Sequence, residues 1–414
     1  MSGERSPTGL SREASVRRRR LTAVVLVIAL ALAIVVVVSA GSGGSAPKFV
    51  FRGAGSVSVI APQVTSSAPR ARSAVKFRAA PAAVSLAATL PLARQVSQLF
   101  LVTLDGRSSS GVAALGSLDW GGVVLGASNF PGGAQASPLV SAVAGALSGA
   151  GHLGPLLAAT QAGGPGTALP DLPPRSEPAV GASGDPVVAR AQAVLAAKRL
   201  RSLGFNMSVA PLADVDTPGG PLSGRLFSSD PATVASLSVA AVTGYTAENV
   251  ISAPGHFPGT GGASADPDQM TATVGGSLAG LRARDLVPFV ALAPKAPVMV
   301  MANAAYAAFD GVTPAGLLRP AVELLRRDYG FQGVVMSDDL DATLQATGGD
   351  AGTSALAALR AGDDLLYLSG PPSERQAAYA AVLAAAQRSD AIRAAVHAAL
   401  LRVLSLKARF GIVR

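Results

Sequence analysis

The run Gly330-Phe331-Gln332-Gly333-Val334-Val335-Met336-Ser337-Asp338-Asp339-Leu340 decides the fold. It is a short apolar stretch, entered through glycine, that ends on two acids. An apolar run without polar alternation suits a strand covered on both faces, as in a parallel sheet wrapped by helices. Seven further runs are of similar kind, at 99–104, 122–125, 155–160, 207–215, 250–256, 298–303 and 364–369. Between them the apolar residues of 187–203, 231–248, 278–292, 314–329 and 354–360 recur at helical spacing. Strand and helix alternating through eight strands predicts a (β/α)8 TIM-type barrel over residues 90–414. Local punctuation agrees: Asp230-Pro231 reads as an N-cap followed by proline at the first helical position, and Gly204, Gly330 and Gly362 stand where helices should stop. The stretch 374–410 is too long for one crossover helix and predicts two, broken near Ser389-Asp390.

Composition fits such a barrel. Of 414 residues 49% are apolar but only 4% aromatic, so the interior must be built from Ala, Val and Leu. The net charge of +9 invites a nucleic-acid reading until it is located. Residues 1–90 hold twelve Lys/Arg against Glu4 and Glu13, which leaves the other 324 residues close to neutral and implies no nucleic-acid surface. Cysteine is absent and His152, His256 and His397 are the only histidines, so neither disulfides nor a metal or cofactor site is expected.

Four arginines, Arg17 to Arg20, precede twenty uncharged residues, 21–40, in which only Thr22 and Ser39 are polar. That length spans a bilayer, and the basic block on its N-terminal side predicts a cytoplasmic tail (1–20), a signal-anchor (21–40) and an extracytoplasmic body. Val38-Ser39-Ala40 resembles a cleavage site, and cleavage near Ala40 would release the body as a secreted protein; the length of the apolar run favours a retained anchor. Residues 41–89, rich in Gly, Ser, Ala and Pro and free of acids, read as a flexible basic stalk.

In a barrel of this type the chemistry stands at the C-terminal ends of the strands. Those ends carry Thr160-Gln161-Ala162-Gly163-Gly164, Ala213-Asp214-Val215-Asp216, His256-Phe257-Pro258-Gly259, Asn303 and Ser337-Asp338-Asp339. The Gly330 to Leu340 run, His256-Phe257-Pro258-Gly259 and Ala210-Pro211-Leu212-Ala213-Asp214-Val215, together with Gln95-Val96-Ser97-Gln98-Leu99-Phe100, Leu203-Gly204-Phe205-Asn206, Gly224-Arg225-Leu226-Phe227 with Ser229-Asp230-Pro231, and Ala361-Gly362-Asp363-Asp364-Leu365-Leu366, make the chain resemble the family 3 glycoside hydrolases, in the branch of bacterial β-N-acetylglucosaminidases.

The resemblance implies a retaining glycosidase acting on terminal β-N-acetylglucosaminyl residues of cell-wall glycan, working as a monomer without a cofactor. Asp338, first acid of the Ser-Asp-Asp motif, is its implied nucleophile, and the loop after His-Phe-Pro-Gly should supply the acid/base. In the family that group is a histidine held by an aspartate two residues earlier; here the aspartate matches Asp266 and the histidine position holds Asp268. Other positions also depart from the pattern. The family's Asp-Gln-Glu-Gly-Gly-Arg loop reads Thr160-Gln161-Ala162-Gly163-Gly164-Pro165, its lysine before His256 is Gly255, and a histidine after the sixth strand is Asn303. Arg225 and His256 remain as sugar-gripping residues, with Thr160 and Asn303 at substituted binding positions. Charge-assisted hydrogen bonds, roughly 1.5–3 kcal/mol each, are thereby lost. Two readings stay open: Asp268 serves as acid/base, its pKa raised by Asp266, or the barrel binds wall glycan or a protein partner without turnover.

Overall fold

The computed structural model describes residues 77–131, 136–149, 151–164 and 167–413. The tail (1–20), the signal-anchor (21–40) and most of the stalk fall outside the described residues. Among the described residues no helix is long and apolar enough to cross a membrane.

Eight parallel strands form one sheet: β1 (Phe100–Thr103), β2 (Gly122–Leu125), β3 (Leu156–Thr160), β4 (Met207–Val209), β5 (Ile251–Ser252), β6 (Val298–Val300), β7 (Val334–Asp339) and β8 (Leu365–Leu368). Their order is β5-β4-β3-β2-β1-β8-β7-β6. The two edges meet just beyond β5: Val300 N–H donates to Pro254 O at 2.9 Å, and Phe257 N–H to Val300 O at 2.8 Å. The sheet thus curls into the expected TIM-type barrel. Each strand lies within its expected run, but β4 and β5 keep only two or three ladder residues. Pro211 and Pro254 lack the N–H that continued pairing would need, and beyond them the backbone runs on in single bonds such as Ala213 N–H to Gly255 O at 2.6 Å.

The helices follow their sequence signals. Asp230 caps Pro231–Ala247 by accepting from Thr233 N–H, and Pro186–Leu203 ends at Gly204 with φ 100°, a left-handed conformation that glycine adopts without a Cβ clash. The C-terminal pair is Pro372–Arg388 and Asp390–Arg409, broken at Ser389, whose side chain caps the second helix. The 278–292 stretch divides into Leu278–Ala283 and Val287–Leu292, with Pro288 starting the second piece. The 314–329 stretch is a 3-10 turn, a short helix entered through Pro320 and a π turn, Leu324–Asp328. Trp120 is buried edge-on to Phe100 and Tyr379, a packing role.

The expected stalk boundary at residue 89 needs correction. Residues Pro81–Thr89 form a helix packed on Asp390–Arg409, with Ala83 and Ala87 fully buried. Ala80 N–H donates to Ser405 Oγ at 3.0 Å, and the Arg402 guanidinium lies 4.8 Å from the Phe77 ring centre. Alanine lets the two helices approach closely, and burial of this face turns a linker-like composition into part of the body.

Candidate active site

The β7 strand ends in an irregularity. Leu365 of β8 pairs with Met336 and Tyr367 with Asp339, so two steps along β8 face three along β7. The extra residue falls in Ser337-Asp338, and such bulges re-aim side chains beside active sites. Ser337 Oγ accepts the Tyr367 N–H at 2.9 Å. Asp339 Oδ1 accepts N–H bonds from Asp341 at 3.1 Å and Ser369 at 3.0 Å, tying its carboxylate to the start of the next helix and the end of β8. Asp338 is left facing a cavity of about 290 Å³ at the C-terminal mouth of the barrel.

Thr160, Arg225, His256, Asp268 and Asp338 all line this cavity, although they are spread over 178 positions of sequence from Thr160 to Asp338. Asp266 does not line it. Its Oδ1 accepts Asp268 N–H at 3.1 Å, and its Oδ2 accepts from Arg225 Nη1 and Gln269 Nε2 at 3.3 and 3.1 Å. Asp266 therefore folds the turn that presents Asp268 and tethers that loop to Arg225. Asn303, expected at the sugar, is buried away from the cavity: its Nδ2 donates to Asp339 O at 2.8 Å and its Oδ1 accepts from Thr343 Oγ1 at 3.2 Å. It braces the turn after β7. Gln161 is likewise consumed in holding the loop after β3, donating to Leu169 O and Leu172 O and accepting Leu169 N–H.

The electrostatics centre on a residue that the sequence reading passed over. Asp214, wholly buried beyond β4, accepts from His256 Nδ1 at 2.9 Å and from His256 N–H at 3.1 Å on one oxygen. Its other oxygen accepts the Thr260 N–H at 2.6 Å and the Thr260 hydroxyl at 2.9 Å. Burial alone would push the His256 pKa down, but the Asp214 charge and hydrogen bond, with smaller help from Asp338 and Asp268, raise it to about 10. The same contacts overcome burial to hold the Asp214 carboxyl below its ordinary range. His256 thus places a fixed positive charge in the cavity. Asp338 is pushed up to about 7, first by burial and then by the nearby Asp268 carboxylate, with His256 opposing. The signal for Asp214 was its place at a strand end, in Ala213-Asp214-Val215-Asp216. Tyr367 was missed too; it is the only aromatic of β8, at an inward position on that strand.

Fold and site together define a (β/α)8 barrel whose mouth sets two carboxylates against a fixed cation, an arrangement suited to glycoside chemistry. The chain belongs to glycosyl hydrolase family 3, whose N-terminal domain matches residues 92–406. A β-hexosaminidase of Stenotrophomonas maltophilia strain K279a is 33% identical over 216 residues, 51% of this chain and 64% of that protein. A β-hexosaminidase of Pseudomonas aeruginosa LESB58 is 34% identical over 45% of this chain and 57% of its own length. The chain therefore aligns with less than two thirds of either relative. Among solved structures, the β-N-acetylhexosaminidase of Beutenbergia cavernae superposes with a TM-score of 0.71 at 29% identity, covering 78% of this chain and 99% of that one.

Proposed function

We propose that the protein is a retaining β-N-acetylhexosaminidase that removes terminal β-linked N-acetylglucosaminyl residues, with Asp338 as nucleophile and Asp268 as acid/base. The observation that carries this reading is the meeting of both carboxylates in one cavity with Arg225 and with His256, which is held on the buried Asp214 carboxylate. In the first step an Asp338 oxygen bonds to the anomeric carbon while the glycosidic C–O bond breaks, and the Asp268 proton passes to the leaving oxygen. In the second, Asp268 takes a proton from water, the water oxygen bonds to the anomeric carbon, and the ester to Asp338 breaks. The cycle needs one proton on Asp268 while Asp338 is ionised, and two neighbouring carboxylates favour holding a single proton between them.

The apolar run 21–40 behind Arg17 to Arg20 supports a membrane-tethered body outside the cytoplasm, or a secreted one after cleavage, and hence wall glycan as the source of substrate. The test is release of chromophore from an aryl β-N-acetylglucosaminide and of N-acetylglucosamine from muropeptides, with the anomer of the first-formed sugar read by NMR. A β product that disappears in Asp338→Asn supports the reading. Turnover unchanged in Asp338→Asn, or an α product, overturns it.

A further inference from the structure

We propose that Glu177 is a positioning residue of this site: its carboxyl takes the place of a strand carbonyl for the Leu212 N–H, and so fixes the segment 212–214 that holds the His256 ring. The need arises where β4 loses a neighbour. Beyond the Thr160–Val209 pair the β3 chain gives one more bond, Gln161 N–H to Val209 O at 3.4 Å, and then turns into its loop. On the opposite side Gly255 pairs with Leu212, its N–H going to Pro211 O at 3.3 Å and its O taking the Ala213 N–H at 2.6 Å. The N–H of Leu212 itself therefore points away from Gly255, into the gap that β3 has left. A buried N–H without an acceptor is costly. Glu177 Oε1 accepts this one at 2.9 Å. Two residues on, Asp214 accepts from both the Nδ1 and the N–H of His256.

Glu177 is itself firmly held. It opens the short helix Glu177–Gly181, which lies against the loop bearing Arg225. A Cβ on Gly181 would stand 1.6 Å from Phe227 O, and Val180 packs with Phe227 and Val215. The helix thus braces the Asp214 segment and the Arg225 loop together. Burial is the largest influence on the Glu177 carboxyl and raises its pKa well above the ordinary range, which favours the neutral acid; the Leu212 bond, Arg225 and His256 oppose this, and Asp214 adds to it. The neutral acid still offers Oε1 to the Leu212 N–H, while Oε2 has no hydrogen-bond partner among the described residues. The role is that of an acceptor rather than of a charge, and a glutamine can fill it.

The effect on turnover rests on the hydrolase reading, whereas the effect on His256 does not. In the full chain, Glu177→Leu removes the acceptor at similar size. It should displace the His256 ring nitrogen resonances and lower kcat on the order of ten- to a hundred-fold, as small misplacements near a reacting centre do. Glu177→Gln keeps the acceptor and should hold both close to wild type. Glu177→Asp keeps the acid but draws the acceptor back by one methylene; it should move both in the same direction as Glu177→Leu, and it decides the matter where Glu177→Leu does not fold. His256 resonances that follow this order in a protein without turnover leave the positioning role standing and remove the hydrolase reading. The inference is overturned by His256 resonances unmoved in folded Glu177→Asp or Glu177→Leu, even where stability or rate declines. It is overturned equally by a displacement in Glu177→Gln as large as in Glu177→Leu, which would make the charge of the carboxyl, not its acceptor, the cause.

Discussion

One carboxylate of Asp214 holds two consecutive parts of the site: its Oδ2 meets His256 Nδ1 at 2.9 Å while its Oδ1 takes both the N–H and the hydroxyl of Thr260. The strand end that carries the cation and the first turn of the loop that carries Asp268 are therefore clamped by a single buried side chain. Asp214→Ala removes the counter-ion that His256 is hydrogen-bonded to, leaving only the farther Asp338 and Asp268 carboxyls. A loss of about 3–5 kcal/mol of stability is expected, as for other broken buried pairs. The His256 pKa should fall back toward its ordinary value, which NMR titration of the ring would read. An unmoved His256 titration would refute the clamp.

The same pair sets a pH dependence of stability. The folded pKa of His256, about 10, lies above its unfolded value near 6.5. The contribution is thus fully present below pH about 6.5 and is lost as pH rises through about 10. Denaturant midpoints measured from pH 6 to 10 should decline in wild type, and His256→Gln should flatten the part of that slope that the pair causes.

Activity should show the opposite trend at the acidic side. The nucleophile must be ionised, and Asp338 titrates near 7, so kcat/KM on an activated aryl glycoside should rise with pH through about 7. Asp268→Asn removes a negative neighbour and should shift that rise to lower pH. With an unactivated leaving group the same variant should lose most of its rate, because the glycosidic oxygen then departs without a proton. A rise that stays in place in Asp268→Asn would mean that the two carboxylates do not sense one another.

Much of this site is legible in the sequence because strand ends are legible. The apolar runs are bounded by glycine, proline and acids, so Asp338 and His256 can be assigned to one mouth before any coordinates, while Arg225 joins them only through the resemblance to family 3. Asn303 shows where this fails. A polar residue just past a strand reads as a ligand, yet here its amide serves Asp339 O and Thr343, a choice made by the turn's three-dimensional path. Tyr367 was hidden for a related reason: one aromatic in an apolar strand looks like core, and only the β7 irregularity brings it beside the acid.

The segment Pro81–Thr89 was misread because its Ala-rich sequence carries no signal separating a docked helix from a linker. Its burial gives a direct check. Protein beginning at residue 77 should be measurably more stable than protein beginning at residue 90. Ala83→Asp, which buries a charge at a fully covered position, should erase that difference. Equal stability of the two lengths would show that the helix adds nothing to the body.

The final prediction concerns Asp363, where helix Ala351–Ala361 passes into β8 and neither carboxyl oxygen has a hydrogen-bond partner among the described residues. Its neighbour Asp364 takes the available cations, Arg326 and Arg402, together with the Val335 N–H. Burial, with the Asp364 charge next, raises the Asp363 pKa well above the ordinary range, which favours the protonated acid in the folded protein. An acid whose folded pKa is raised binds its proton more tightly when folded. Stability from this group therefore falls as pH rises from the unfolded pKa, near 3.9, toward the folded one. Asp363→Val removes both unpartnered oxygens while keeping a side chain of similar size. It should stabilise the protein at neutral pH by on the order of 1–3 kcal/mol, the cost of a buried unsatisfied polar group, and flatten the acidic part of the stability profile. Cavity activity should be unchanged, because Asp363 lies before β8, at the barrel end opposite the mouth. A destabilised Asp363→Val protein with an unaltered pH profile would show that this carboxyl finds a partner in solution and is part of the fold's support.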